Sequence, residues 1–226
     1  MIGNRERIFM IKLYLVRHGE TKGNVEQWYQ GSTDIPLNDK GRLQAQCLSE
    51  YLKDVHFDGF YSSDLMRAEE TAKIVAAPHH MEVRTYKELQ EVNFGEWEGH
   101  RYDEITSGWP GMIEDFYASE GKMKAPGGES FEEVEMRSLK KVQEILADHK
   151  DGDTVFIASH GATIRCLLFG LLGLRLTRIW CFQQFNTAVN VIEYYGERNV
   201  MTVMNSTRHL EQMAEVQKQW STMIGL

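Results

Sequence analysis

Two histidines, each followed by glycine and each at the end of an apolar run, are the residues of this chain best suited to chemistry. His18 stands in Arg17-His18-Gly19-Glu20, directly after Ile11-Lys12-Leu13-Tyr14-Leu15-Val16. His160 stands in Ser159-His160-Gly161-Ala162, after Val155-Phe156-Ile157-Ala158. Open α/β sheets place ligands at the carboxyl ends of parallel strands. Glycine there lets backbone N–H groups approach an anion closely. Arg17 adds a fork of donors matched to phosphate oxygens. A histidine beside it can attack phosphorus as a nucleophile. One such histidine alone reads as a hydrogen-bonded structural residue. Two strand ends that deliver His-Gly into one sheet point to phosphoryl transfer through a phosphohistidine.

The elements that must carry these residues alternate between strand and helix, which predicts an α/β fold with a mostly parallel sheet and helices on both faces. Asn38 is a helix cap ahead of Leu43, Cys47, Leu48, Tyr51, Leu52 and Val55. Residues 57–61 read as a strand, and a helix with Ala68, Thr71, Ala72 and Val75 inward stops before Pro78. Residues 82–86 read as a further strand. Ser130 and Glu133 form a capping box for the helix carrying Phe131, Val134, Val142, Ile145 and Leu146. Residues 188–194 and 200–204 suggest a hairpin at the sheet edge. The whole chain, 1–226, reads as a single domain. Residues 100–126 form an insertion expected to cover the site, and 208–224 an amphipathic C-terminal helix. That helix would pack on its own domain or on a second subunit of a homodimer; both readings stand.

These motifs and their order resemble the histidine phosphatase superfamily, the phosphoglycerate mutase-like family. The resemblance rests on residues 15–21 (Leu-Val-Arg-His-Gly-Glu-Thr), 34–41 (Asp-Ile-Pro-Leu-Asn-Asp-Lys-Gly), 62–68 (Ser-Ser-Asp-Leu-Met-Arg-Ala), 91–99 (Glu-Val-Asn-Phe-Gly-Glu-Trp-Glu-Gly) and 159–161 (Ser-His-Gly). It implies a three-layer α/β/α sandwich with His18 as nucleophile. A nearby backbone carbonyl would hold its other ring nitrogen protonated. Arg17 and Arg67 would carry charge for the phosphoryl oxygens, His160 would donate to the transferred group, and Asn24 and Gln30 would line the phosphate pocket. Taken alone, Arg67 reads as an exposed helical arginine paired with Glu69 or Glu70. Glu91, Glu96 and Glu98 compete as proton donor, and position within the motif favours Glu91. Two guanidinium groups nearby would keep that carboxyl ionised, whereas a bound phosphate dianion offsets them, so substrate itself is expected to load the proton. Glu20, Asp34 to Leu37 and Asn186-Thr187 read as structural, the last through local backbone hydrogen bonds.

Composition narrows the partners. The formal net charge is -8 with no run of Lys or Arg, which argues against nucleic acid or an anionic membrane. No apolar stretch approaches a membrane span. Cys47, Cys166 and Cys181 lack metal-type spacing, and the resemblance implies neither metal nor cofactor. Arg5 and Arg7 before an apolar run faintly suggest a signal peptide, but Lys12 interrupts the run. The segment reads as a short leader of a cytoplasmic protein.

The expected partner is a small-molecule phosphate ester. The insertion carries Arg101, Lys122 and Lys124 against Asp103, Glu104, Glu114, Asp115 and Glu120. A phosphoglycerate mutase would need extra basic residues there, so hydrolysis is the preferred reading. The Pro-Gly-Gly-Glu-Ser run at 126–130 resembles the alpha-ribazole phosphatase and broad-specificity phosphatase branch. Trp28, Tyr29, Trp97, Trp109, Phe116 and Tyr117 are candidates to line a ring-binding cavity, although any one of them reads more readily as core. A mutase and a non-catalytic phosphate-binding module are the alternatives.

Overall fold

The computed structural model describes residues 9–196 and 198–213. Six strands form one sheet: β1 (Ile11–Arg17), β2 (Gly59–Ser63), β3 (Val83–Tyr86), β4 (Thr154–Ser159), β5 (Val189–Tyr194) and β6 (Val200–Ser206). Their order is β3-β2-β4-β1-β5-β6. The first four strands run parallel, and β5 and β6 add an antiparallel hairpin at one edge. The expected three-layer, mostly parallel architecture is therefore the observed one.

The layers follow from the alternation of side chains along each strand. Ile11, Leu13 and Leu15 of β1 face one way, with Val155 and Ile157 of β4. They pack on α6 (Phe131–Ala147) and α7 (Gly161–Leu172) through Val142, Ile145, Leu146, Ile164, Leu167 and Leu168. Val16, Phe156 and Ala158 face the other way, onto α2 (Asp39–Leu52) and α3 (Met66–Ala76) through Leu48, Leu52, Ala72 and Val75. Each buried aliphatic or aromatic side chain contributes about 1.5–3 kcal/mol, so the central strands, buried on both faces, hold the frame. Helix starts match the sequence reading. Asn38 accepts from Gly41 N, and Ser130 and Glu133 cap α6 reciprocally. Loss of one such cap costs about 1 kcal/mol.

Three short α-helices complete the α-helical elements of the described residues: α1 (Lys22–Glu26), α4 (Tyr102–Gly108) and α5 (Met112–Ala118). The last two lie in the insertion and form a separate apolar cluster against α6 and α7. Its members include Trp97, Ile105, Ile113, Phe116, Phe131 and Phe169. One expectation is refined here. The C-terminal segment begins as a 3-10 turn, Arg208–Gln212, rather than an α-helix, and it packs near α2 through His209, whose imidazole bonds Thr187. The remainder of the expected helix, like residues 1–8 of the expected leader, lies outside the described residues. Among the described residues no helix is long and apolar enough to cross a membrane. Cys47 and Cys166 are buried free thiols, as expected, and Cys181 is exposed.

Candidate active site

β1 and β4 are neighbours, and Arg17 is in register with Ser159. The residues that follow, His18 and His160, therefore leave the sheet side by side. Their ring centroids are 5.2 Å apart. The amide of His18 donates to the carbonyl of Ser159 at 2.9 Å, which extends the parallel ladder into the site. Beyond His18 the chain must pass close to α2. A Cβ on Gly19 would stand 2.4 Å from the Gly41 carbonyl oxygen, and one on Gly41 would stand 2.1 Å from that of Glu20. Only glycine at both positions permits that approach.

A cavity of about 250 Å³ opens at these strand ends. Arg17, His18, Asn24, Gln30, Arg67 and Glu91 line it. Six of the seven residues singled out in the sequence thus meet around one space. His160 is the exception: it is fully buried beside His18, and its backbone neighbours Gly161 and Ala162 line the cavity instead.

His18 Nδ1 bonds the Gly19 carbonyl at 2.7 Å. A carbonyl can only accept, so Nδ1 carries the proton and Nε2 keeps its lone pair. Burial, then the charges of Arg67 and Arg17, hold the imidazole pKa well below its usual value, so the ring is neutral at neutral pH. His160 is likewise held neutral by burial and by Arg67. Its Nε2 meets Ser63 Oγ at the end of β2, at 2.8 Å.

The two arginines are fastened differently. Arg17 Nη1 donates to the Gln184 carbonyl at 2.7 Å, and Gln184 exchanges two amide hydrogen bonds with Asn190 of β5. Desolvation pushes the Arg17 guanidinium down to about 10, still cationic at neutral pH. Arg67 is fully buried. Its Nη1 and Nη2 donate to the carbonyls of Thr33 and Gly31, each at 2.8 Å. The surface pairing with Glu69 or Glu70 does not occur, because those carboxylates bind Lys73 and Arg42. Arg17 Nε, Arg67 Nε and His160 Nδ1 are buried without a hydrogen-bonding partner among the described residues. Buried donors are normally satisfied. Two unpaired guanidinium N–H groups at one cavity are suited to receive an oxyanion.

Glu91 lies at the start of α7. Its carboxylate accepts from the amides of Ala162, Thr163 and Val92 and from Thr163 Oγ1, at 3.0–3.2 Å. Glu98, one competitor, instead accepts from the amides and hydroxyls of Ser32 and Thr33. It braces the loop whose carbonyls hold Arg67. Glu96 does not line the cavity. Asn24 Oδ1 is engaged by Thr21 and by Asn186 Nδ2, and Gln30 Oε1 by Thr21 Oγ1.

Several expectations change on contact with the structure. Asn186-Thr187 makes the expected local bonds, with Ala188 N on the Phe185 carbonyl and Thr187 Oγ1 on that of Asn186, but it also reaches much further. Asn186 Nδ2 and Thr187 N both donate to the His18 carbonyl, 168 and 169 positions away in the chain, so this loop holds the histidine motif. Asp34 does more than turn the chain toward α2: its carboxylate accepts from Met66 N at the start of α3. Of the six aromatic candidates, only Trp28 and Tyr29 line the cavity. Trp97 and Phe116 are buried in the insertion cluster, with Trp109 against it. Tyr117 instead bonds the Tyr29 hydroxyl.

Sequence reasoning missed Arg165 and Trp180, which also line the cavity, with the guanidinium over the indole at 5.1 Å. Arg165 stands four residues after Gly161, one helical turn along α7 on the same face. That spacing was the available signal. Trp180 offered none.

Known proteins match this chain along nearly its whole length. A family model described as the histidine phosphatase superfamily (branch 1) matches residues 13–207. Phosphoserine phosphatase 1 of Hydrogenobacter thermophilus is 33% identical over 201 residues, covering 89% of this chain and 95% of that protein. Phosphoglycerate mutase-like protein 4 of Arabidopsis thaliana is 35% identical, across 94% of this chain and 92% of that one. The structure of the alpha-ribazole phosphatase from Shigella flexneri superposes with a TM-score of 0.78 at 28% identity, covering 87% of this chain and 96% of that one. With both histidine motifs, the Arg67 helix and the Glu91 segment all inside the matched span, this chain belongs to the histidine phosphatase superfamily, branch 1.

Proposed function

We propose that the chain hydrolyses small-molecule phosphomonoesters through a phosphohistidine on His18, without a metal ion. The observation that carries this reading is the 2.7 Å contact between His18 Nδ1 and the Gly19 carbonyl, which leaves an unprotonated Nε2 with a free lone pair on a residue that lines the cavity. Nucleophilic attack by Nε2 forms the P–N bond as the P–O ester bond breaks. The leaving oxygen takes the bonding pair and a proton from the Glu91 carboxyl. Water then attacks phosphorus and gives its proton to Glu91, and the P–N pair returns to the imidazole. Arg17 and Arg67 balance charge on the equatorial oxygens, and His160 supports the same group from beside His18. Asn24 and Gln30 shape the pocket wall.

Hydrolysis is favoured over mutase chemistry by the charge of the insertion. Of its three cations, Lys124 is already paired with Glu133, and the further cation at the cavity, Arg165, is committed in part to the Phe182 and Gly161 carbonyls and to the Trp180 ring. The cavity beyond the phosphate is bounded by Trp28, Tyr29, Phe94 and Trp180 with Arg165. That wall suits a leaving group with an apolar or ring-bearing part. Alpha-ribazole phosphate and phosphoserine, named for similar proteins, are the first esters to rank. The test is phosphate release from a panel of esters without added metal, with His18→Ala as control. Release that vanishes in the variant supports the reading. Interconversion of phosphoglycerates stimulated by a bisphosphate would make the protein a mutase. Inactivity in both assays would leave a phosphate-binding module.

A further inference from the structure

The carboxyl assigned above as proton donor sits on a segment with little regular structure of its own. Residues 87–89 form one 3-10 turn, and no strand or α-helix follows until Tyr102. Its shape must therefore be imposed from outside. The agent is Arg137, on the second turn of α6. All of its N–H directions are used. Nη1 donates to the carbonyls of Glu88 at 2.7 Å and Gln90 at 3.0 Å. Nη2 donates to the carbonyl of Glu91 at 3.0 Å. Nε and Nη2 also form a fork onto Glu129 at 2.8 and 2.9 Å. Glu129 in turn accepts from Asn93 N at 3.0 Å, and its own amide donates to the Asn93 carbonyl at 2.8 Å. One ion pair thus grips the backbone on both sides of Glu91.

Arg137 lies outside the reaction cavity. With Glu129, Lys87, Asn93 and Glu91 it lines a second cavity of about 390 Å³. Glu91 is the residue common to both spaces. An arginine committed to three main-chain carbonyls and one carboxylate is geometrically rigid. A lysine can supply the charge but not this fork.

We infer that Arg137, anchored by Glu129, is the positioning residue that sets the Glu91 carboxyl against the leaving oxygen. The inference rests on Glu91 being the proton donor, and the experiment separates the two claims. Leaving-group release in a single turnover, which precedes the water step in which Glu91 also acts, would be measured for a series of phosphomonoesters, from nitrophenyl to alkyl, in the wild type and in Glu91→Gln, Arg137→Lys, Arg137→Met and Glu129→Gln. A nitrophenolate departs without a proton and an alkoxide does not. Glu91→Gln should therefore lose roughly 10²–10⁴-fold on alkyl esters and far less on the nitrophenyl ester. Misplacing the carboxyl should cost the Arg137 variants on the order of 10- to 100-fold on alkyl esters. That loss should fall on the saturating single-turnover rate rather than on the ester concentration that half-saturates it, with nitrophenyl release nearly kept. Glu129→Gln, which spares the guanidinium, should follow in the same direction and serves if Arg137 variants fold poorly. Equal losses on all esters in the Arg137 and Glu129 variants, beside a selective Glu91→Gln, would overturn the positioning role. A Glu91→Gln variant without selectivity would overturn the proton-donor reading, and the positioning role with it.

Discussion

The two His-Gly strand ends begin from nearly the same local pattern and reach different environments. His18 follows β1, lines the cavity and bonds its own neighbour's carbonyl. His160 follows β4, is fully buried and bonds Ser63 across the adjacent strand. The helices that follow differ as well. After His18 the chain makes only the five-residue α1, capped by Thr21. After His160 it makes the twelve-residue α7, whose first amides are taken by Glu91. A shared motif therefore delivers two buried imidazoles, while the neighbours assign one to the cavity lining and the other to the layer behind it. The same contrast separates the arginines: Arg17 is tied at one nitrogen, and Arg67 is tied at two and fully buried.

The contrast breaks most sharply at the histidines themselves. His18→Ala is expected to lose about 10⁴-fold or more in kcat, as a nucleophile removed from an acting set does, and to trap no phosphoenzyme in a rapid acid quench. His160→Gln should lose less, on the order of 10²–10³-fold, and still form the phosphoenzyme, more slowly. A His160 variant with no phosphoenzyme would erase the distinction between the two motifs.

Removing Arg67 should show in stability as well as activity, since Arg67→Met leaves the Gly31 and Thr33 carbonyls without their donor. At about 1–3 kcal/mol per abandoned buried group, a urea titration should register the loss. Arg17→Met strands only the Gln184 carbonyl and should cost less. Equal destabilisation would show that the two arginines are not divided in this way.

A smaller and shared effect is expected with pH. His18, His160 and His209 all have lowered folded-state pKa values, His209 down to about 4 through burial. Below about pH 6.5 the unfolded chain binds protons that the folded chain refuses, so stability is complete above that pH and falls as pH drops. Thermal melts between pH 7 and 4 should decline, and His209→Gln should flatten part of that decline. An unchanged slope would remove His209 from the balance.

How far the sequence reading reached depended on range. Arg17, His18 and His160 were legible because Arg17 ends β1 and each histidine follows its own strand by one step, so local pattern and position in the sheet coincide. Arg67 was not legible from its surroundings, where Glu69 and Glu70 offered ordinary partners; only the family resemblance placed it in the pocket. The structure gives the reason: Lys73 and Arg42 occupy those carboxylates, and the carbonyls that capture Arg67 lie 34 and 36 residues away. The aromatic candidates misled for a related reason. Trp97 and Trp28 look alike in composition, yet one fills the insertion core and the other faces the cavity.

By itself, the amino-acid sequence determined the alternating strands and helices, the caps at Asn38 and Ser130, and the two His-Gly strand ends. These are set by side-chain period and by hydrogen bonds a few residues apart. The tertiary structure alone decided that β1 and β4 lie together, that Asn186 holds the first motif, that Arg165 joins the cavity and that Arg137 grips the Glu91 segment. Each of those depends on long-range packing that buries polar groups until they find partners distant in the chain, and no local pattern encodes which partner that will be.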